Sequence, residues 1–353
     1  MSLPFQTLLL TGAAGYLGRT LAPGLLPLAA RLRVSDLAAP LTTADLPAAA
    51  ERVPCDLADA RAVHGLLAGV DAVVHLGGVA VEGPWDPILQ ANVRGLHHLY
   101  EAARRQGVKR VVFASSNHVT GCYEQAQTIT PQDPPRPDGN YGLSKLFGEG
   151  IASLYWDRHG VETVCIRIGT ALPTPPDRRA LATWLSLPDL LRLHRARMPE
   201  AGAPAPPAEP PGPVPPPVAT APKPVTREPT LPPPVRVVHR AQQAAWVLPG
   251  PLLLLLFLYG LRRQTELRGW ARKYWAEVRG ALTAPQVGFL VTYGISNNTR
   301  RFYDSADAWA RLGYQPQDDA EAFASQVAHI LQPEGPQRIY QGGAFMGIGP
   351  FDD

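Results

Sequence analysis

Short apolar runs, each ended by glycine or a polar turn, alternate with amphipathic stretches along most of this chain. The runs are "QTLLLTG" (6–12), "RLRVSD" (31–36), "DAVVHLGG" (71–78), "RVVFASS" (110–116) and "ETVCIRIGT" (162–170). Runs of this kind, separated by helical spacing, predict βαβ units in a parallel sheet whose two faces are both covered. Further on, "PQVGFLVTYG" (285–294) predicts another strand and "DDAEAFASQVAHIL" (318–331) a helix. The expected fold is α/β, a Rossmann-type doubly wound parallel sheet.

The pattern breaks after Met198. Residues 199–234 contain 16 prolines, which neither a helix nor a central strand tolerates, so the stretch predicts an extended linker. It leads into "WVLPGPLLLLLFLYGLRR" (246–263) and then "RRQTELRGWARKYWAEVRG" (262–280), which has helical propensity and a basic, aromatic face. From Ala244 to Leu261 there are 18 uncharged residues, near the lower limit of a membrane span, but Pro249, Gly250 and Pro251 leave only ten uninterrupted. One crossing would also put 1–196 and 284–353 on opposite sides of a bilayer. The expectation is one domain formed by 1–196 and 284–353, interrupted by an insertion at 197–283, with no membrane span.

Composition narrows the class. The chain has 353 residues, 45% hydrophobic and 18% charged, enough to bury a sizeable core. A formal charge of +3, with part of its excess between Arg262 and Arg279, gives no argument for nucleic acid. Cys55, Cys122 and Cys165 are widely spaced with no CxxC pair, which suits a reducing compartment and excludes a zinc site of the usual spacing. The N-terminus has no basic region ahead of its apolar run, so a cytoplasmic protein is expected.

Gly12, Gly15 and Gly18 form G-x-x-G-x-x-G directly after the first strand, with Tyr16 and Leu17 at the start of the next helix. Glycines let the backbone turn tightly against a pyrophosphate, and the N–H groups of the helix start receive its charge. Asp36 ends the second strand, where a carboxylate accepts from both ribose hydroxyls and repels a 2′-phosphate, so NAD is expected over NADP. "CDLAD" is expected to end a third strand and place Asp56 and Leu57 at an adenine, while Leu76, Gly77 and Gly78 pass close to the cofactor. Thr170, at the end of the sixth predicted strand, is a further candidate cofactor contact.

"SSNH" (115–118) ends the fifth predicted strand, and "DGNYGLSKLFGEGIASLYW" follows. In a helix Tyr141 and Lys145 share a face. A phenol is a poor base at neutral pH, and a neighbouring ammonium is expected to lower its pKa. A serine hydroxyl nearby then holds the reacting oxygen.

With these motifs in this order, the chain resembles the extended-type short-chain dehydrogenase/reductases and, more narrowly, the NAD-dependent uronate dehydrogenase family. The narrower resemblance rests on "TGAAGYLGR", "CDLADA", "VVHLGGVAVE", "NVRGLHHLYEAAR", "VVFASSNHVTG", "RPDGNYGLSKLFGE", "VCIRIGT", "TWLS", "LGYQPQDDAEAF" and "QGGAF". It covers about 1–196 and 284–353. It implies oxidation of a cyclic hexuronic acid, D-glucuronate or D-galacturonate, at C1 to an aldarolactone. Tyr141 would be the base, Lys145 would bind the nicotinamide ribose, and Ser116 would hold the reacting oxygen. Asn117 and His118 would contact sugar hydroxyls. Arg179 would grip the substrate carboxylate through its planar fork, with Arg178 as the competing candidate. A homo-oligomer is also implied.

Two departures stand out: Ala80 replaces an expected serine after "GGV", and the insertion replaces a short connection. Asn92 is read equally as a helix-packing amide and as a catalytic group. The competing functions are a nucleotide-sugar epimerase or dehydratase and a non-catalytic NAD-binding sensor.

Overall fold

Leu8 and Leu10 of the first strand enter one buried cluster and Leu9 another, the period of two that an extended chain imposes. Val73, Val111 and Cys165 join Leu9, while Val74, Val112 and Ile166 join Leu8 and Leu10. Both faces of the sheet are therefore covered, which is why its strands read as continuous apolar runs.

The structure is a computed structural model that describes residues 5–195, 288–349 and 351. Its strands are β1 (Phe5–Thr11), β2 (Ala29–Ser35), β3 (Glu51–Arg52), β4 (Ala72–His75), β5 (Arg110–Ser116), β6 (Glu162–Ile168) and β7 (Phe289–Gly294). They pair in parallel in the order β3-β2-β1-β4-β5-β6-β7. The order reverses between β1 and β4, which opens a crevice at the carboxyl ends of those strands. β7 follows the insertion and pairs with β6 from Thr163↔Phe289 to Ile168↔Gly294, so chain from both sides of 197–283 shares one sheet.

The principal helices are α1 (Tyr16–Leu25), α2 (Ala38–Thr43), α3 (Ala60–Leu66), α4 (Trp85–Ile88), α5 (Gly95–Gln106), α6 (Asn140–His159), α7 (Ala180–Thr183), α8 (Leu187–Arg195) and α9 (Ala306–Leu312). α6 runs for 20 residues and stops at Gly160, whose φ of 66° is the left-handed turn that glycine takes without penalty. α8 is tied to the chain after the insertion by Asp189, a fully buried carboxylate that accepts from Ser296 Oγ at 2.6 Å, Gln317 N at 2.9 Å and Asp318 N at 3.1 Å.

Two elements differ from their sequence expectation. β3 spans only two residues, so "CDLAD" lies beyond the strand; Pro54 has no N–H for a ladder bond, although Val53 N and Cys55 N still donate to Val34 O and Asp36 O. The helix expected over 318–331 is a 3-10 turn at Ala320–Phe323 followed by one α-turn at Ala324–Val327. Ala320 and Val327 bury against Leu181 and Trp184 with Ile330 packed partly against them, but Leu331 is 92% exposed, so the pattern's last apolar position covers nothing.

No helix among the described residues is long and apolar enough to cross a membrane. The proline-rich stretch, the leucine run at 246–263 and the basic segment at 262–280 lie outside the described residues. Cys55 and Cys165 are buried free thiols and Cys122 is half-buried. Burial pushes the pKa of all three upward, which makes them poor nucleophiles.

Candidate active site

A cleft of about 550 Å³ opens at the switch point, within the range of roughly 300–1,000 Å³ typical of small-molecule sites. The glycine loop forms one end. Gly12 has φ +67°, and a Cβ there would lie 2.7 Å from the backbone of Leu76 and Gly77, so only glycine fits. A Cβ on Gly18 would strike Ala13, which lets α1 start tight against β1. α1 begins without a side-chain cap and without an acidic residue in its first turn, which leaves its positive end available to an anion. Asp36 lines the cleft just beyond β2, held by hydrogen bonds from Ala14 N to Oδ2 (3.0 Å) and Leu37 N to Oδ1 (2.8 Å).

The other end is built from β5 and α6. Ser116 ends β5, and Asn117 and His118 lie in the 3-10 turn that follows it. Ser116 Oγ accepts from His118 N at 3.2 Å, and Asn117 Nδ2 donates to the buried Tyr303 hydroxyl at 3.2 Å. Tyr141 and Lys145 lie one turn apart on the buried face of α6. That helix start is capped from elsewhere: Glu82 accepts from Asn140 N and Tyr141 N, each at 2.9 Å. Lys145 Nζ donates to Ala114 O at 2.9 Å and stands 5.6 Å from the Tyr141 ring centroid.

Burial pushes the Tyr141 phenol up to about 12, against a downward pull from the Ser116 hydroxyl and with a further push from the Asp138 charge. Burial brings Lys145 down to about 8. The expected lowering of Tyr141 by Lys145 is thus not what the protein by itself displays. Desolvation disfavours both charged forms.

Gly12, Gly15, Tyr16, Leu17, Gly18, Asp36, Leu76, Gly78, Ser116, Asn117, His118, Tyr141, Lys145, Thr170 and Arg179 all line this one cleft. Asp56, Leu57 and Gly77 do not. Asp56 accepts from Ala58 N, Leu57 O is bound to His98 Nδ1, and Gly77 N donates to Thr11 Oγ1. Thr170 pairs with Thr183 through both backbone and hydroxyl. Of the two candidate arginines only Arg179 lines the cleft, and its guanidinium donates to Gln341 O. Ala80 lines the cleft as well, so no hydroxyl is offered there.

Asn92 is spent structurally. It sits in a π-helical turn after α4, accepts from Val79 N at 2.7 Å, and donates to Val79 O and Ser144 Oγ at 2.9 Å each. Ser144 in turn donates to Tyr141 O. Asn92 thereby joins the loop after β4 to the helix that carries Tyr141.

Two cleft neighbours carried no assignment from sequence. Phe345 stacks on His118 with ring centroids 3.7 Å apart, and Asp138 Oδ2 lies 2.7 Å from His118 Nδ1. Both lie in quoted strings, "QGGAF" and "RPDG", but nothing in their spacing marks a contact with His118.

Residues 8–179 match the NAD dependent epimerase/dehydratase family. The uronate dehydrogenase of Pseudomonas syringae pv. tomato is 39% identical over 353 residues, covering 99% of this chain and 96% of its own. The chain belongs to the uronate dehydrogenase family. Among solved structures of that family, glucuronic acid dehydrogenase from Chromohalobacter salexigens is 35% identical with a TM-score of 0.70, covering 98% of this chain and 97% of its own. A tyrosine-to-alanine variant of Agrobacterium tumefaciens uronate dehydrogenase, complexed with NAD, is 33% identical with a TM-score of 0.70, covering 99% of this chain and all of its own.

Proposed function

We propose that this chain oxidises C1 of a cyclic hexuronic acid, D-glucuronate or D-galacturonate, to the aldarolactone with NAD. The observation that carries this reading is the single cleft shared by the Gly12–Gly18 loop, Asp36, Ser116, Tyr141, Lys145, His118 and Arg179. The residues fit the cofactor. The Gly12 cradle, which a Cβ would fill, and the uncapped start of α1 suit a pyrophosphate. Asp36 suits two ribose hydroxyls and disfavours a 2′-phosphate. NAD, when bound, accepts the hydride that leaves C1.

The side chains supply the remainder. Tyr141 Oη takes the proton of the C1 hydroxyl while Ser116 Oγ holds that oxygen. Tyr141 acts as the phenolate, its own proton having gone to solvent, and Lys145 binds the nicotinamide ribose and places positive charge beside that phenolate, which offsets the cost of a buried negative charge until the C1 hydroxyl proton neutralises it. Arg179 pairs with the substrate carboxylate, and Asn117 and His118 hold ring hydroxyls. C1 loses one hydrogen as hydride and its hydroxyl loses one as a proton, so a carbonyl forms within the ring and the product is a lactone.

Residues 1–196 and 284–353 form the catalytic domain in this reading, and 197–283 is an insertion that catalysis does not need. Free, mostly buried thiols support a place in the cytoplasm. The family resemblance supports a homo-oligomer. NADH absorbance tests the reading: D-glucuronate or D-galacturonate reduces NAD, and Tyr141→Phe lowers kcat about 10²–10⁴-fold. Turnover of a nucleotide sugar with neither uronate oxidised contradicts it.

A further inference from the structure

Asp138 stands out because its carboxylate is enclosed yet meets only one hydrogen-bond donor among the described residues. Its side chain is 0% exposed, Oδ2 lies 2.7 Å from His118 Nδ1, and Oδ1 has no partner among the described residues. The space it occupies is walled by glycine. A Cβ on Gly121, after the 3-10 turn, on Gly142 of α6, or on Gly342 near the C-terminus would crowd or overlap the Asp138 carboxyl group. Three separate segments thus leave out a side chain where this one carboxylate sits.

An ionised carboxylate only accepts hydrogen bonds, so the hydrogen between these atoms belongs to Nδ1 of His118. The imidazole is constrained on other sides too. One face lies against Phe345 at 3.7 Å and 22°, the Tyr141 ring meets it edge-on at 5.9 Å, and the His118 backbone N–H is bound to Ser116 Oγ. Nε2 has no partner among the described residues, on a residue that lines the cleft.

We propose that Asp138 is a positioning residue that fixes His118 as the Nδ1–H tautomer, so that Nε2 accepts a hydrogen bond from a sugar hydroxyl. This role rests on the uronate-oxidising reading and adds a selection rule to it. A substrate that presents a hydroxyl to Nε2 gains a bond, and one that lacks it leaves a desolvated acceptor unpaired. Phe345 supplies the second restraint by holding the ring plane.

The test pairs a tautomer measurement with kinetics on the full chain. In ¹⁵N-labelled wild type, the His118 signals, assigned by their loss in His118→Gln, show a protonated Nδ1 and a bare Nε2. In Asp138→Asn the carboxylate is gone, and the Nε2–H form appears in substantial population. The same variant raises KM for the uronate at least tenfold and leaves KM for NAD within threefold, a split that general loosening of the domain does not produce. An Nε2–H tautomer in wild type, or an unchanged uronate KM in Asp138→Asn, overturns the positioning role. Absence of uronate turnover by wild type in the same assays overturns the underlying reading instead, whatever the tautomer.

Discussion

Replacing Glu149 by alanine removes the partner of the most enclosed ion pair beside the site. Arg167 on β6 donates from Nε to Oε1 and from NH2 to Oε2 of Glu149, each at 2.8 Å, and the side chains are 3% and 6% exposed. Ser115 Oγ donates to the same Oε1 at 2.7 Å, and Arg167 NH1 donates to the Tyr293 hydroxyl at 3.2 Å. Burial works against the Arg167 charge, and the hydrogen bonds and charge of Glu149 more than offset it. Breaking such a pair from one side strands a buried charge and costs about 3–5 kcal/mol. For a domain of this size that lowers Tm by on the order of 10 °C. Substituting both partners, Glu149→Leu with Arg167→Met, removes both charges together and recovers most of the loss, to within about 2 kcal/mol of wild type. Urea unfolding of wild type, the single variants Glu149→Leu and Arg167→Met, the double variant, and Glu149→Ala beside them measures this. A loss below about 1 kcal/mol in Glu149→Ala, or a double variant as unstable as the sum of the singles, refutes the reasoning.

Three further outcomes are expected. Burial brings His75 down to about 3, from an ordinary value of 6.5, so the folded protein refuses a proton that the unfolded chain accepts between those values. Stability therefore falls as pH drops from 6.5 toward 3, by roughly 5 kcal/mol in total, and urea titrations across that window of wild type and His75→Asn should differ in slope. Lys145 titrates at about 8, so its positive charge is present below that pH and lost above it. kcat/KM should then climb with pH as the Tyr141 phenol ionises and level off above about 8, where loss of the Lys145 charge cancels any further gain, and a profile still climbing steeply beyond pH 9 contradicts the role given to the ammonium. A chain lacking residues 197–283 should fold and reduce NAD, and loss of folding would place part of that segment in the core.

The features legible in the sequence are those that repeat or lie close together. The apolar runs predicted β1, β2 and β4 to β7 because strands covered on both faces leave a one-dimensional trace. Gly12, Gly15, Gly18 and Asp36 were readable because one strand-turn-helix unit and the next strand hold them, and Tyr141 with Lys145 because one helical turn does. What escaped was set by packing between distant loops. Phe345 reaches His118 across more than two hundred residues, and Glu82 caps α6 from the loop after β4. Asp138 is adjacent in sequence to the segment holding Tyr141, yet the three glycines that make room for it are scattered over the chain. The sequence pattern extends β3 through Cys55 and Leu57, whereas the strand itself covers only Glu51–Arg52 and beyond it only the Val53 and Cys55 N–H groups still bond toward β2. The helix at 318–331 was overextended because spacing alone does not reveal that Leu331 has nothing to bury against.

The central claim is that hydride leaves C1 of a hexuronic acid in the cleft that holds Tyr141. D-Glucuronate deuterated at C1, incubated with NAD and the full chain, tests it most directly. The account predicts one deuterium in each NADH formed, with glucarolactone as the initial product. NADH without deuterium, or an unchanged C1 with a new carbonyl elsewhere on the ring, would contradict it.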